Sequence, residues 1–310
     1  MNRKLKVTLL VFFSLVFCVT AGFLVRDLLE YKKGDDIYAE AAREFIKVKP
    51  LPPGNSGPAQ NTSQDTTQGT ASSGEDSTQE ESAAAEPEPA PERLVMDFEA
   101  LAGINKDIIG WIKIPGTNIN YPLLQGADND YYLRRNYRRE TLRAGSIFLD
   151  YRCDPGMGGK NSIIHGHNMR NGSMFSQLLK FGNQSFYNSH KYIFVYTADG
   201  YLKYEIFSCR QVSVEGATVF QTGFGQGFDA VLGQWAADSQ VTTGVVPGAS
   251  DKIVTLSTCE NQNDKLRFVV QGRLVEDTRG HQEPEEDPAD ADDGQDATGQ
   301  TEDPAAVTGQ

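Results

Sequence analysis

A thiol, a guanidinium and an imidazole are the side chains in this sequence whose types and positions suit covalent chemistry. The segment Thr255-Leu256-Ser257-Thr258-Cys259 closes an apolar, β-rich run that begins at Ile253. Eight residues later Arg267 opens a second run, Phe268-Val269-Val270, and a polar loop from Glu260 to Lys265 lies between them. Two short apolar runs joined by a few polar residues read as neighbouring antiparallel strands. That pairing puts Cys259, at the end of one strand, near Arg267, at the start of the next. A positive charge beside a thiol favours the nucleophilic thiolate. A free cysteine on an apolar strand is also commonly a small packed hydrophobe, so the pair alone leaves both readings open.

A cysteine nucleophile needs a base or a charge partner. Of four histidines, His281 falls in an acidic terminal segment and His190 precedes a strand in a polar setting. The remaining two stand in Ile163-Ile164-His165-Gly166-His167-Asn168. Gly166 ends the strand, which leaves His167 at a rim facing a groove and His165 as a packed, aromatic-like residue. Strand residues two apart share a face, which also suits a metal. No third ligand has matching spacing, however, and no Cys-x-x-Cys or Cys/His pattern points to zinc. Neither metal nor cofactor is implied.

The elements that must position these groups are short strands. Residues 94–109 carry apolar residues at three- and four-residue steps and predict one or two short helices. From Gly110 the period changes. Residues 111–114 and 119–124 are strands around the turn Pro115-Gly116-Thr117-Asn118. Residues 128–143 are polar and tyrosine-rich, a loop or short helix. Residues 146–149 and 162–165 are strands, with the glycine-rich loop 154–160 between them. A short helix follows at 174–181. Residues 191–197 and 201–212 form a hairpin about Ala198-Asp199-Gly200. A long insertion over 213–250 carries a helix near 228–237, and the two strands around Cys259 close the series. Many short strands with turns between them read as a small β-barrel.

The ends of the chain have another character. Arg3, Lys4 and Lys6 precede residues 7–25, which contain no charge. Nineteen such residues span about 28 Å as a helix, one hydrocarbon core. The basic flank keeps residues 1–6 as a cytoplasmic tip and exports the rest. A cleaved signal peptide is the rival, but Ala21-Gly22-Phe23 is a poor cleavage site and the apolar run exceeds a typical signal core. Residues 26–48 show rough helical spacing and suggest a stalk helix. Residues 49–92 are rich in Pro, Gly, Ser, Thr, Gln, Ala and Glu, and read as a disordered linker between membrane and domain. The globular domain is assigned to 93–276. Residues 277–310 are an acidic tail without a calcium-loop spacing. The net charge of -13 argues against nucleic acid as a partner. Outside the apolar segment that holds Cys18, three cysteines remain (Cys153, Cys209, Cys259), so at least one is unpaired within the chain. A Cys153–Cys209 disulfide is possible but the spacing does not show it, and two reduced structural thiols are the favoured reading.

Taken in order, the parts are far more specific than singly. An apolar anchor, a linker, a β-rich domain, Gly166-His167-Asn168, then Thr255-Leu256-Ser257-Thr258-Cys259 and Arg267 resemble a sortase from about Trp111 to Val275. Trp111-Ile112-Lys113-Ile114-Pro115-Gly116-Thr117 and Gly145-Ser146-Ile147-Phe148-Leu149-Asp150 are similar to that family too. The Thr-Leu-Ser-Thr-Cys form, the helices before Trp111, the N-terminal anchor and the helix-bearing insertion point to class B. His165 departs from it, since the family more often has Tyr or another bulky residue there.

The resemblance implies a mainly β fold, a closed eight-stranded barrel with Cys259, His167 and Arg267 at one rim. It implies a Cys259 nucleophile, a His167 general acid and then base, and an Arg267 that holds substrate or stabilises the oxyanion. It brings substrate-groove roles for Asn129, Leu133, Thr258 and Glu260. The implied partners are secreted proteins with a C-terminal sorting signal and an amine acceptor from a peptidoglycan precursor or a pilin. The implied location is the cell membrane, single-pass, with the catalytic domain outside. Three other readings stand beside anchoring to the wall: a pilin-polymerising sortase, a cell-wall cysteine hydrolase and a non-enzymatic displayed β-domain. The hydrolases usually place the cysteine early, at a helix start, with histidine later; here His167 precedes Cys259 and Cys259 follows a strand.

Overall fold

A computed structural model of the chain describes residues 3–48, 94–260 and 263–280. The expected disordered linker at 49–92 and nearly all of the acidic tail therefore lie outside the described residues. Helix α1 runs unbroken from Arg3 to Phe45. No proline interrupts these residues, so nothing removes a backbone donor from the helix. Its first half is apolar and exposed along the outside. Its second half buries Gly34, Ile37, Tyr38, Ala41 and Phe45, the three- and four-residue spacing of one helix face. Of residues 26–48, read as a stalk helix, 26–45 thus continue the apolar helix onto the folded domain, and 46–48 form a strand instead.

Strand β1 (Ile46–Val48) pairs antiparallel with β2 (Leu94–Met96). The predicted helix over 94–109 is corrected here. Leu94–Met96 is a strand because Ile46–Val48 supplies its partner, and only Phe98–Ile104 forms a helix, α2. Asp97 caps it by accepting a hydrogen bond from the Ala100 amide at 3.0 Å. An apolar run this short carries no decisive period.

The remaining strands close a barrel: β3 (Ile108–Lys113), β4 (Asn120–Leu124), β5 (Ile147–Leu149), β6 (Asn161–His165), β7 (Tyr192–Thr197), β8 (Gly200–Ser213), β9 (Ile253–Glu260) and β10 (Asn263–Asp277). Their order around the barrel is β10-β8-β7-β3-β4-β5-β6-β9. The pairs β4–β5 and β6–β9 are parallel, and the others are antiparallel. The fold is a mainly β, closed eight-stranded barrel, as the resemblance implies, with parallel as well as antiparallel pairs. Trp111, Ile112, Ile147, Leu149, Ile163, Val254 and Leu256 are fully or almost fully buried within it.

A short α3 (Gln184–Ser189) precedes the β7–β8 hairpin, and α4 (Phe228–Ala237) lies in the insertion between β8 and β9. Phe228, Leu232 and Trp235 form the buried face of α4, packed with Phe207, Val219, Ile253 and Val269. The α4 end is fastened to β8, because the Trp235 carbonyl accepts from Ser208 Oγ at 2.7 Å and Arg210 Nη1 at 2.6 Å.

Candidate active site

Strand register brings the predicted groups to one end of the barrel. Phe148 of β5 stands opposite His165 of β6, His165 beside Ser257 of β9, and Ser257 opposite Val269 of β10. Side chains repeat every two residues along a strand. One repeat beyond this row come His167, residue 259 and Arg267. The backbone pairing of Cys259 with Arg267 is direct. The ladder also extends past β6, since the Gly166 amide donates to the Ser257 carbonyl at 3.1 Å. Only a glycine fits at 166, because a Cβ there would fall 2.7 Å from the Phe175 ring and closer still to Ile147 Cδ1.

A groove of about 130 Å³ opens at this end, lined by Asn129, Leu133, Phe148, His165, Gly166, His167, Ser257, Thr258 and Arg267. Of the residues assigned a part in the site, His167, Arg267, Asn129, Leu133 and Thr258 meet there. Glu260 ends β9, paired with Asn263 of β10. The half-buried His167 ring bonds through Nε2 to the Leu133 carbonyl at 2.7 Å. A carbonyl only accepts, so Nε2 carries the proton in this contact, and proton exchange falls to Nδ1. Leu133 approaches because Gly145, at φ +59, leaves room; a Cβ there would lie 2.5 Å from that same carbonyl oxygen. Thr258 is 1 % exposed, and its hydroxyl has no hydrogen-bond partner among the described residues. A buried polar group left so costs about 1–3 kcal/mol. Half-buried Arg267 donates from Nη1 to the Leu266 carbonyl at 3.0 Å.

A second layer behind the groove was not singled out from the sequence. Asp150, 1 % exposed, accepts from Arg152 Nε at 2.9 Å and Nη2 at 2.7 Å, from Asn129 Nδ2 at 2.9 Å, and contacts His165 Nε2 at 3.2 Å. Burial pushes its carboxyl pKa up, but the hydrogen bonds from Arg152 and His165 outweigh it and hold the group well below the usual carboxylate range. Asn129, expected to touch substrate, is thereby fixed, and its Oδ1 also accepts from the Tyr151 amide at 3.1 Å. His165 does pack, tilted against Phe148 at 5.3 Å between ring centres, yet it is also a groove-lining partner of a carboxylate. The signal for this was the Asp150-x-Arg152 spacing, which closes a local ion pair.

Cys153 and Cys209 are free, buried thiols. Burial pushes the Cys153 thiol up to about 11 and Cys209 further still. Neither supplies a thiolate at neutral pH.

The sortase domain model matches residues 112–275, more than half of the chain. Sortase B of Listeria monocytogenes is 41% identical over 185 residues, which are 58% of this chain and 74% of that protein. This chain belongs to the sortase family, class B. The fold agrees. A Staphylococcus aureus sortase B–substrate complex aligns with TM-score 0.55 at 36% identity, over 57% of this chain and 84% of that one. Sortase B from Bacillus anthracis, solved in complex with AAEK1, aligns with TM-score 0.60 at 30% identity, over 81% of this chain and all of that one. As a sortase the chain is a cysteine transpeptidase, which sets aside the cell-wall hydrolase and the non-enzymatic displayed domain. Sortases act on proteins bearing sorting signals and on amine acceptors, and they work outside the cell.

Proposed function

We propose that this sortase is a single-pass membrane enzyme that cleaves the C-terminal sorting motif of secreted proteins at Cys259 and passes them to a cell-wall amine. The observation that supports the reading is the register: residue 259 pairs with Arg267, and Arg267 lines one groove with His167 and Thr258. The apolar run of α1, with a basic flank before it, supports an uncleaved anchor with its N-terminus in the cytoplasm.

The Cys259 thiolate attacks the threonine carbonyl carbon of the motif, forming a carbon–sulfur bond. As the tetrahedral species collapses, the peptide carbon–nitrogen bond breaks and His167 gives its Nδ1 proton to the departing amine. Arg267 offsets charge on the oxyanion or holds the motif. The incoming amine then attacks the thioester and yields its proton to His167. A new amide forms and the thiolate leaves. Asn129, Leu133, Thr258 and Glu260 contribute to the substrate groove. Asn129 is pre-set by Asp150, and Thr258 lines the groove beside Arg267.

The test is cleavage of a panel of sorting-motif peptides, with glycine-peptide and lysine amines as acceptors. Cys259→Ala abolishes both thioacyl formation and transfer. His167→Ala lowers kcat/KM by about 10²–10⁴-fold, the usual contribution of a positioned acid–base group. Undiminished cleavage by Cys259→Ala would remove the mechanism. The acceptor that turns over separates wall anchoring from pilin polymerisation.

A further inference from the structure

We infer that α1 is a rigid strut that seats the barrel directly on the membrane surface, so the groove works at a fixed height, and that residues 49–93 add nothing to its reach. The membrane anchor and the sorting role of the groove rest on the function proposed above; the contacts between α1 and the barrel do not. The partner surface is the lipid headgroup layer around the anchor, not a distant layer reached on a flexible tether.

Contacts between helix and barrel start almost at the membrane. Asp27, two residues and about 3 Å of helical rise beyond Val25, meets Arg143 Nη1 at 3.3 Å. The Arg143 guanidinium also stands 5.6 Å from the centre of the Tyr31 ring. Higher on the helix, Asn171 Nδ2 donates to both carboxylate oxygens of Asp35 at 3.0 Å, and Arg138 meets Glu40 at 3.3 Å. The Tyr38 hydroxyl donates to the Gly145 carbonyl and lies 3.3 Å from Ser146 Oγ. Exposed ion pairs contribute little each. The buried faces of Ile37, Tyr38, Ala41 and Phe45 supply the larger apolar term.

These contacts belong to the loops that build the groove. Residues 138–146 follow Leu133, whose carbonyl holds His167, and Asn171 follows His167 by four residues. A helix clamped to both loops fixes the facing of the groove as well as its height. The chain then leaves the domain at Val48 and returns at Leu94, and these two residues are paired on β1 and β2. The Asp97 amide donates to the Phe45 carbonyl at 3.0 Å and closes the junction. A segment whose two ends are hydrogen-bonded to each other cannot lengthen the path from membrane to barrel, whatever its own length.

The test uses the full chain in vesicles, with a fluorophore on an unnatural side chain at Asp199, in the exposed β7–β8 turn, and energy-accepting labels on lipid headgroups. Replacing residues 49–93 by a short Gly/Ser turn leaves energy transfer unchanged. A change would mean that this segment sets the height and would overturn the proposal. Inserting about eight Gly/Ser residues after Glu30, which reach about 16 Å on average, lowers transfer at least about twofold. A helical insert of about seven residues at the same place raises the barrel by about 10 Å and lowers transfer too. Unchanged transfer in the inserted chains also overturns it. In the same vesicles, cleavage of a membrane-anchored motif falls about tenfold in the flexible variant as the effective concentration drops. Cleavage of a soluble motif peptide stays within about twofold, which reports an intact barrel. Loss of soluble cleavage by the wild-type chain would instead count against the sorting function and leave the transfer result standing.

Discussion

Asp150 is the residue behind the groove whose charge matters most. Its pKa is depressed in the folded protein, so its contribution is present above the unfolded carboxylate value of about 3.9 and is lost as pH falls below it. Wild-type stability should therefore drop from about pH 4 downward, and Asp150→Asn should flatten that limb while lowering stability near neutrality. Urea unfolding at a series of pH values measures both. The same substitution frees Asn129 and His165, so KM for a cleaved peptide rises more than kcat falls. Thiol chemistry gives a second prediction at this scale. With Cys153 pushed up to about 11 and Cys209 beyond that, a methanethiosulfonate reagent at neutral pH modifies Cys259 in the native domain and leaves those two untouched until denaturation. Peptide mapping of the adducts reads this directly.

At the scale of elements, two glycines let the β6 end and the 132–146 loop approach the groove. Gly166→Ala must displace the Phe175 ring and Ile147, a cost of about 1–3 kcal/mol for overpacking, and moves His167 with the strand end. Gly145→Ala meets backbone, not a flexible tip, and also holds a positive φ; it should cost more stability than Gly166→Ala in thermal unfolding. The helix α4 offers a contrast. Trp235→Ala removes a fully buried ring from the second apolar cluster, which costs about 3–5 kcal/mol. It lies outside the groove, so activity of the molecules that remain folded stays near wild type. Most barrel strands were legible in advance, because each is a short apolar run bounded by turn or loop residues, buried along nearly its whole length in β4, β5, β6 and β7. Leu94–Met96 was not, because its partner lies across the whole 49–93 segment and three residues show no period.

For the whole molecule, α1 is part of the domain it was expected only to carry. A fragment that starts at residue 93, the expected domain edge, lacks the face made by Ile37, Tyr38, Ala41 and Phe45. It should melt well below one that starts at residue 31, and Tyr38→Ala in the longer fragment should cost about 3–5 kcal/mol of that difference. Calorimetry of the three proteins settles the order.

The sequence by itself singled out the residues proposed to carry chemistry, through the order in which they occur and the family that order resembles. Cys259 closes one apolar run, Arg267 opens the next and His167 follows a glycine, and those marks are local, although the strands themselves extend to Glu260 and back to Asn263 across the expected polar loop. It determined the apolar helix and the count of short strands for the same reason: period and composition are properties of neighbouring residues. Only the tertiary structure decided which strands lie side by side, and so that Phe148, His165 and Ser257 form a row with His167, residue 259 and Arg267 one repeat beyond. It also decided that Asp150 is buried behind the groove and paired with Arg152, and that the apolar N-terminal helix ends against the barrel. Each of these depends on residues tens to more than a hundred positions apart being brought together, where burial and pairing, rather than local preference, set the energy.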